Sequence, residues 1–351
     1  MYDIILTFLT AFTITYVAIP SIIRISIEKR LMDAPGERSS HSKSIPTLGG
    51  FGIFGGLICS MLYWTPFQVF NGLQYILCAL VIMFLVGAKD DIIPLAPHKK
   101  LLGQLFAAAI LVLKADVRLT SFYGIFGIND LPYWISVAFS IFTLIVINNA
   151  FNLIDGINGL AGSITCVISV TFGLWFFRVD QLALAVLAFS LTGALVAFLK
   201  YNFSPARIFM GDTGSLIVGL ISSILAIKFI ELNRTLPPEI ALKSIPALAV
   251  GIMIIPLFDT LRVFTLRALA GRSPFSPDRN HIHHLLIDCG LSHMAATTVL
   301  IFVNILYICF VFYFQNLGSL ELLLLLLTSG VIASQLLSYT RNKRRAVVAK
   351  A

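Results

Sequence analysis

The sequence predicts an all-α polytopic membrane protein, and three observations carry that prediction. Hydrophobic residues make up 58% of the chain and charged residues only 12%, against about 45–50% and about 25% in soluble domains. The mean hydropathy is +0.92. The apolar residues are gathered into runs close to the roughly 20 residues that a helix needs to cross the hydrocarbon layer, with short polar islands between them. No stretch reads as a separate soluble domain, so residues 1–351 are expected to form one integral-membrane domain.

In chain order the runs lie near 4–26, 47–64, 70–88, 100–115, 131–148, 159–178, 181–199, 214–231, 243–266, 295–315 and 319–338. Each is expected to be one transmembrane helix, which makes about 11. The first run lacks a small-residue cleavage site and reads as a retained span. The fourth is short, bounded by Lys114 and Asp116, and only Arg178-Val179-Asp180 separates the sixth from the seventh. If every run crosses, the loops near 27–46, 89–99, 149–158, 200–213 and 267–294 share one side with the tail after 338. Nineteen of the 25 basic residues fall on those loops and their helix ends, and six fall on the other side. The positive-inside rule makes the rich side cytoplasmic. The N-terminus is then outside, the C-terminus cytoplasmic, and the chain a multi-pass protein of a bacterial cytoplasmic (inner) membrane. The net charge of +8 reports topology and membrane lipid, not nucleic acid. The five cysteines are spaced neither as a disulfide framework nor as a zinc motif. An odd span count without an internal repeat weighs against an inverted-repeat transporter.

The reactive side chains crowd into a few islands on the cytoplasmic side, which places an active site on cytoplasmic loops. Asp90 and Asp91 close the third run. Adjacent carboxylates repel, so one is readily protonated or paired with a cation, and one can act as a base. The plain alternative is a helix end with solvated charges. Lys99, Lys100 and Gln104 follow, able to hold phosphate. In the second island Asn148, Asn152 and Asp155 share a helix face by i, i+4 and i+7 spacing, with Asn149 beside them. Polar clusters of this kind are costly in a membrane unless paired or wet. Asn202, Arg207 and Gly211-Asp212-Thr213-Gly214-Ser215 form the third island. Asp212 either caps the following helix or helps seat a metal-bridged phosphate at its start. Oxygen ligands favour magnesium or manganese over zinc. The fourth island runs Asp278-Arg279-Asn280-His281-Ile282-His283-His284. Zinc is its obvious rival reading, but no cysteine or His-Glu-x-x-His helix accompanies it. A polar wall with Arg279 as an anion clamp suits it better. Asp259 is either a site member or the i, i+3 partner of Arg262. The first cytoplasmic loop adds Arg38, His41 and Lys43.

At these residues the chain resembles the polyprenyl-phosphate N-acetylhexosamine-1-phosphate transferase family of the glycosyltransferase family 4 type, and within it the undecaprenyl-phosphate N-acetylglucosaminyl-1-phosphate transferase branch. The resemblance rests on Pro46-Thr-Leu-Gly49-Gly50, Asp90-Asp91, Asn149-Ala-Phe-Asn152-Leu-Ile-Asp155-Gly156, Phe209-Met-Gly-Asp212-Thr-Gly-Ser215, and Pro274-Phe-Ser-Pro-Asp278-Arg279-Asn-His281-Ile-His283-His284, in the family's order. It implies that the phosphate of undecaprenyl phosphate attacks the β-phosphate of a UDP-N-acetylhexosamine, giving the polyprenyl-diphospho-sugar and UMP and starting a cell-envelope polysaccharide. It implies Mg²⁺ dependence, with Mn²⁺ as the alternative ion. By the same resemblance Asp212 and Asp155 are metal ligands, and Asp90, Asp91, Asp155, His281, His283 and His284 are catalytic. Lys43, Lys100, Asn149, Asn152, Asn202, Asp278 and Arg279 are then substrate contacts. A homodimer is compatible with it. Position 158 is Asn where relatives often carry Asp, and position 98 is His where they commonly carry Lys, which shifts the phosphate contact to Lys100. The interrupted histidines argue against the phospho-N-acetylmuramoyl-pentapeptide transferase branch. The rival from another class is a cation-coupled transporter, which needs acids near span centres.

Overall fold

The computed structural model describes residues 2–33, 44–65, 72–273 and 280–348. It is an all-α membrane fold with a helix over every apolar run. The helices are α1 (Tyr2–Glu28), α2 (Gly49–Trp64), α3 (Leu73–Ile92), α4 (Pro97–Lys114), α5 (Tyr133–Ile154), α6 (Leu160–Arg178), α7 (Leu182–Asn202), α8 (Gly211–Asn233), α9 (Ile245–Ile252), α10 (Ile254–Leu269), α11 (Ile282–Asp288), α12 (His293–Tyr313) and α13 (Ser319–Val348). By length and composition seven of the described helices can cross a membrane, or eight if α9 and α10 count as one broken span. At 16 residues, α2 is shorter than a full crossing needs.

The run near 243–266 is not one straight helix, as its apolar length suggested. It bends by 85° between α9 and α10. Pro256 stands in the first turn of α10 and has no N–H to return to the carbonyl of Ile252. That carbonyl instead accepts from Asn304 Nδ2 of α12 at 3.2 Å. The bend thus leaves no orphaned acceptor at this position, which lipid would penalise.

Burial ranks the helices. In α8, 78% of the apolar window is buried, in α7 72% and in α6 67%, whereas α1 and α12 reach 28% and α13 only 22%. Helices hydrophobic all round belong in the centre; the poorly buried ones present Leu, Ile and Phe to lipid. The central α8 packs against α2, α3 and α5. Close approach at its first turn needs missing side chains. A Cβ on Gly50 of α2 would stand 2.2 Å from Gly214 N, and one on Gly87 of α3 would stand 2.4 Å from Thr213 Cα. The first loop returns through a two-residue antiparallel pair, β1 (Met32–Asp33) with β2 (Ile45–Pro46). Pro46 O then accepts from Phe209 N at 2.7 Å, and Gly49 N and Gly50 N donate to Phe209 O and Met210 O at 3.0 and 2.9 Å. Those bonds tie the start of α2 to the segment entering α8.

Candidate active site

One cavity of about 700 Å³ gathers the ends of α3, α5 and α8. Asp90, Asp91, Asn152, Asp155, Asn158, Asn202, Asp212, Ser215 and His284 are among its lining residues. Islands far apart in sequence therefore meet at one end of the helix bundle.

The two adjacent acids of α3 have different tasks. Asp91 accepts from Asp212 N at 2.7 Å, Thr213 N at 3.0 Å and Thr213 Oγ1 at 2.5 Å. It caps α8 from outside, satisfying N–H groups that have no partner within the helix and setting a negative charge on the positive end of its dipole. Gly211 makes room for this. Its φ is +72°, and a Cβ there would lie 2.1 Å from Thr47 O and 2.7 Å from Asp91 Oδ1. Asp90 points elsewhere. It accepts from Leu95 N at 2.6 Å and pairs with Lys100 Nζ at 3.1 Å. Lys100 also bonds Asp212 Oδ1, so one ammonium bridges acids from α3 and α8. Asp212 Oδ1 further accepts from Asn152 Nδ2 at 2.7 Å, and the same Nδ2 reaches Ser215 Oγ at 2.8 Å.

Asp155 follows the last residue of α5 and is recessed in the cavity wall. Burial first, then the charges of Asp212 and Asp91, push its carboxyl up to about 7. Of the face expected on α5, Asn152 and Asp155 reach the cavity, while Asn148 Nδ2 donates to Leu216 O at 2.8 Å and serves helix packing. Asn149 does not line the cavity; it exchanges amide hydrogen bonds with Gln104 at 2.9 and 3.3 Å. Asn202 touches the cavity, but its amide braces the backbone, accepting from Gly159 N and donating to Ile208 O, both at 2.8 Å. His98 is exposed in the first turn of α4.

The histidines form a wall above the Asp155 turn. His284 lines the cavity. His283 is buried, and a Cβ on Gly156 would come within 2.4 Å of its Nε2. Burial, reinforced by the neighbouring histidines and opposed by Asp259, pushes its pKa down to about 3, so the ring is neutral. His281 Nδ1 meets Asp259 Oδ2 at 2.9 Å. Asp259 is therefore not simply a partner of Arg262, whose Nη1 donates to Asn280 O at 2.6 Å. Lys43, Asp278 and Arg279 lie outside the described residues.

Comparison with known proteins finds relatives over most of the chain. The family model described as glycosyl transferase family 4 matches residues 73–230. A decaprenyl-phosphate N-acetylglucosaminephosphotransferase of Mycolicibacterium smegmatis is 32% identical over 313 residues, covering 83% of this chain and 77% of the relative. An undecaprenyl-phosphate alpha-N-acetylglucosaminyl 1-phosphate transferase of Escherichia coli strain K12 is 30% identical over 275 residues, 76% of this chain and 71% of the relative. A probable undecaprenyl-phosphate N-acetylglucosaminyl 1-phosphate transferase of Bacillus subtilis is 29% identical, over 88% of this chain and 84% of the relative.

The chain belongs to glycosyl transferase family 4.

The family match opens at α3 and closes within α8, so it encloses every cavity acid named above. The wall from Asn280 to His284 comes from beyond it. A divalent cation fits what the family member offers here. Among the described residues no group of three or more His, Cys, Asp or Glu side chains stands at metal-binding spacing. Magnesium does not need one: it is held by one or two carboxylates together with substrate phosphates and water. Asp155 and Asp212 would be two such carboxylates; burial first, then its acidic neighbours, raises the carboxyl of Asp155, and a cation would supply the opposite charge.

Proposed function

We infer that this protein transfers N-acetylglucosamine-1-phosphate from UDP-N-acetylglucosamine to undecaprenyl phosphate, releasing UMP, at the cytoplasmic face of a bacterial inner membrane. The observation that carries the reading is the cavity where Asp90, Asp155 and Asp212 meet at helix ends, with Lys100 bridging Asp90 and Asp212. The names of relatives covering three quarters or more of the chain support the acceptor and the sugar. Counted with all eleven runs crossing, the excess of basic residues on that side supports the cytoplasmic orientation, with the N-terminus outside.

The chemistry follows from charge. An oxygen of the acceptor phosphate attacks the β-phosphorus of the nucleotide sugar, the bond to the bridging oxygen breaks, and UMP leaves with the electron pair. Two polyanions must meet for this, so positioning and neutralisation dominate. Asp90 is placed to take the proton still carried by an acceptor phosphate whose second pKa is about 6. Lys100, set between Asp90 and Asp212, supplies positive charge at the meeting point. Asp91 acts through Asp212, whose backbone it holds. Asp155 and Asp212 would hold Mg²⁺, which when bound would offset the negative charge of the diphosphate. Lys43, Asp278 and Arg279 add polar and cationic contacts to the substrates, and His284 faces the sugar diphosphate.

Purified protein in nanodiscs with undecaprenyl phosphate and Mg²⁺, offered a panel of UDP-sugars, tests the reading. UMP release with UDP-N-acetylglucosamine, and its loss in Asp212→Asn, are the expected outcomes. Activity confined to UDP-N-acetylmuramoyl-pentapeptide would move the protein to the pentapeptide branch. Ion flux without UMP release would make it a transporter, though the cavity acids sit at helix ends and not at span centres.

A further inference from the structure

Asp259 is almost fully buried, at 2% exposure, in α10, outside the cavity and outside the stretch that the family model matches. Its carboxylate nevertheless faces the histidine wall with both oxygens engaged. Oδ1 accepts from Ile282 N at 2.9 Å, and Oδ2 lies 2.9 Å from His281 Nδ1. One turn later Arg262 Nη1 donates to Asn280 O at 2.6 Å. Two residues of α10 thus pin three consecutive residues, 280 to 282, where the chain enters α11. The His281 ring is 5% exposed and stacks on His283, with centroids 5.6 Å apart and planes 12° apart. His283 in turn stands 4.3 Å from His284, which lines the cavity. A fixed route of packed rings therefore runs from Asp259 to the cavity.

An ionised carboxylate only accepts hydrogen bonds. His281, paired with it through Nδ1, must carry a proton there. A histidine whose second nitrogen is set by a carboxylate is held in both tautomer and orientation; for metal-ligating histidines loss of such a partner typically costs about 10–100-fold, and the same scale is expected of this ring.

We propose that Asp259 is the positioning residue of the histidine wall: it fixes the tautomer of His281 and the start of α11, and so holds His283 and His284 against the cavity. The assignment of a consequence for turnover rests on the transferase reading above; the tautomer does not. Asp259→Asn separates the two tasks of the carboxylate. The amide oxygen still accepts from Ile282 N, while the amide nitrogen now donates to Nδ1 and drives the proton to Nε2.

Solid-state ¹⁵N spectra of histidine-labelled protein, with His281→Gln assigning the resonance, read the tautomer directly. The wild-type ring should be protonated at Nδ1 and the Asp259→Asn ring at Nε2. In the transfer assay Asp259→Asn should lose about 10–100-fold in kcat, with KM for UDP-N-acetylglucosamine within about twofold and an unchanged melting temperature. In a His281→Gln background the same substitution should change kcat by less than about twofold. An Nε2 proton in the wild type, an unshifted tautomer in the variant, or an undiminished kcat effect in the His281→Gln background would overturn the proposal. Absence of UMP release from the wild-type protein would instead overturn the transferase reading and leave the tautomer result standing.

Discussion

Replacing each of two neighbouring acids by its amide should give opposite signatures. Asp91 receives three donors from the first turn of α8. In Asp91→Asn one oxygen becomes an NH₂. The Thr213 hydroxyl can rotate and accept from it, but whichever way the amide is turned, one backbone N–H of Asp212 or Thr213 faces another donor. Losing a charge-assisted bond and orphaning a half-buried N–H costs about 2–3 kcal/mol. At roughly 1.4 °C per kcal/mol for a chain of this size the midpoint should fall by about 3–4 °C. Asp90 receives one backbone donor and one ammonium. In Asp90→Asn the amide oxygen keeps the Leu95 bond and Lys100 keeps Asp212 as its partner, so the remaining loss is one largely buried contact worth about 1 kcal/mol. That variant should melt within about 2 °C of the wild type yet fail to turn over. The assay is a thermal melt in detergent paired with UMP release from the same preparation. Equal melting losses in the two variants, or none in Asp91→Asn, would refute the division of labour between them.

Three further outcomes follow from the same geometry. Lys100→Met removes the ammonium shared by Asp90 and Asp212; Mn²⁺ should bind several-fold more tightly by electron paramagnetic resonance titration while transfer falls, because the cation no longer competes with a lysine. Asp155 titrates near 7 in the protein alone, and a carboxylate must be deprotonated to bind metal; Mg²⁺ affinity should therefore fall up to about tenfold per pH unit below 7 and level off above it, with proton release on binding visible by calorimetry in buffers of differing ionisation heat. Gly156→Ala would set a methyl group 2.4 Å from His283 Nε2, so the ring must leave its seat; kcat should drop with little change in the melting temperature, and an unaltered kcat would mean that the wall need not touch the Asp155 turn.

Much of this was legible because lipid allows few solutions. Backbone groups in hydrocarbon must be satisfied internally, so every apolar run became helical, and the polar islands were left at helix ends where acids and bases can meet. Helix periodicity also placed Asn152 and Asp155 on the cavity side of α5. It could not tell them from Asn148, since one face of a helix meets both cavity and neighbour as it leaves the bundle. The bend at Met253 had its local cause in Pro256, yet only the distant Asn304 makes it tolerable. Asp91 and Asp90 are indistinguishable in sequence, and their separate tasks come from the two directions that successive side chains take from a helix end. Asp259 fits two readings in the sequence because its partner, His281, is 22 residues away and beyond any helical spacing.

The bond from Asp91 to the amide of Asp212 joins positions 121 residues apart. Between them lie four helices, three of them long and apolar enough to cross, before α8 arrives to be capped. During synthesis the nascent protein therefore carries its acids in separate places, and the arrival of a single central rod brings them together. Ribosome-stalled chains released before that helix emerges should be catalytically silent, and separately expressed halves divided between α7 and α8 should gain activity only on reassociation.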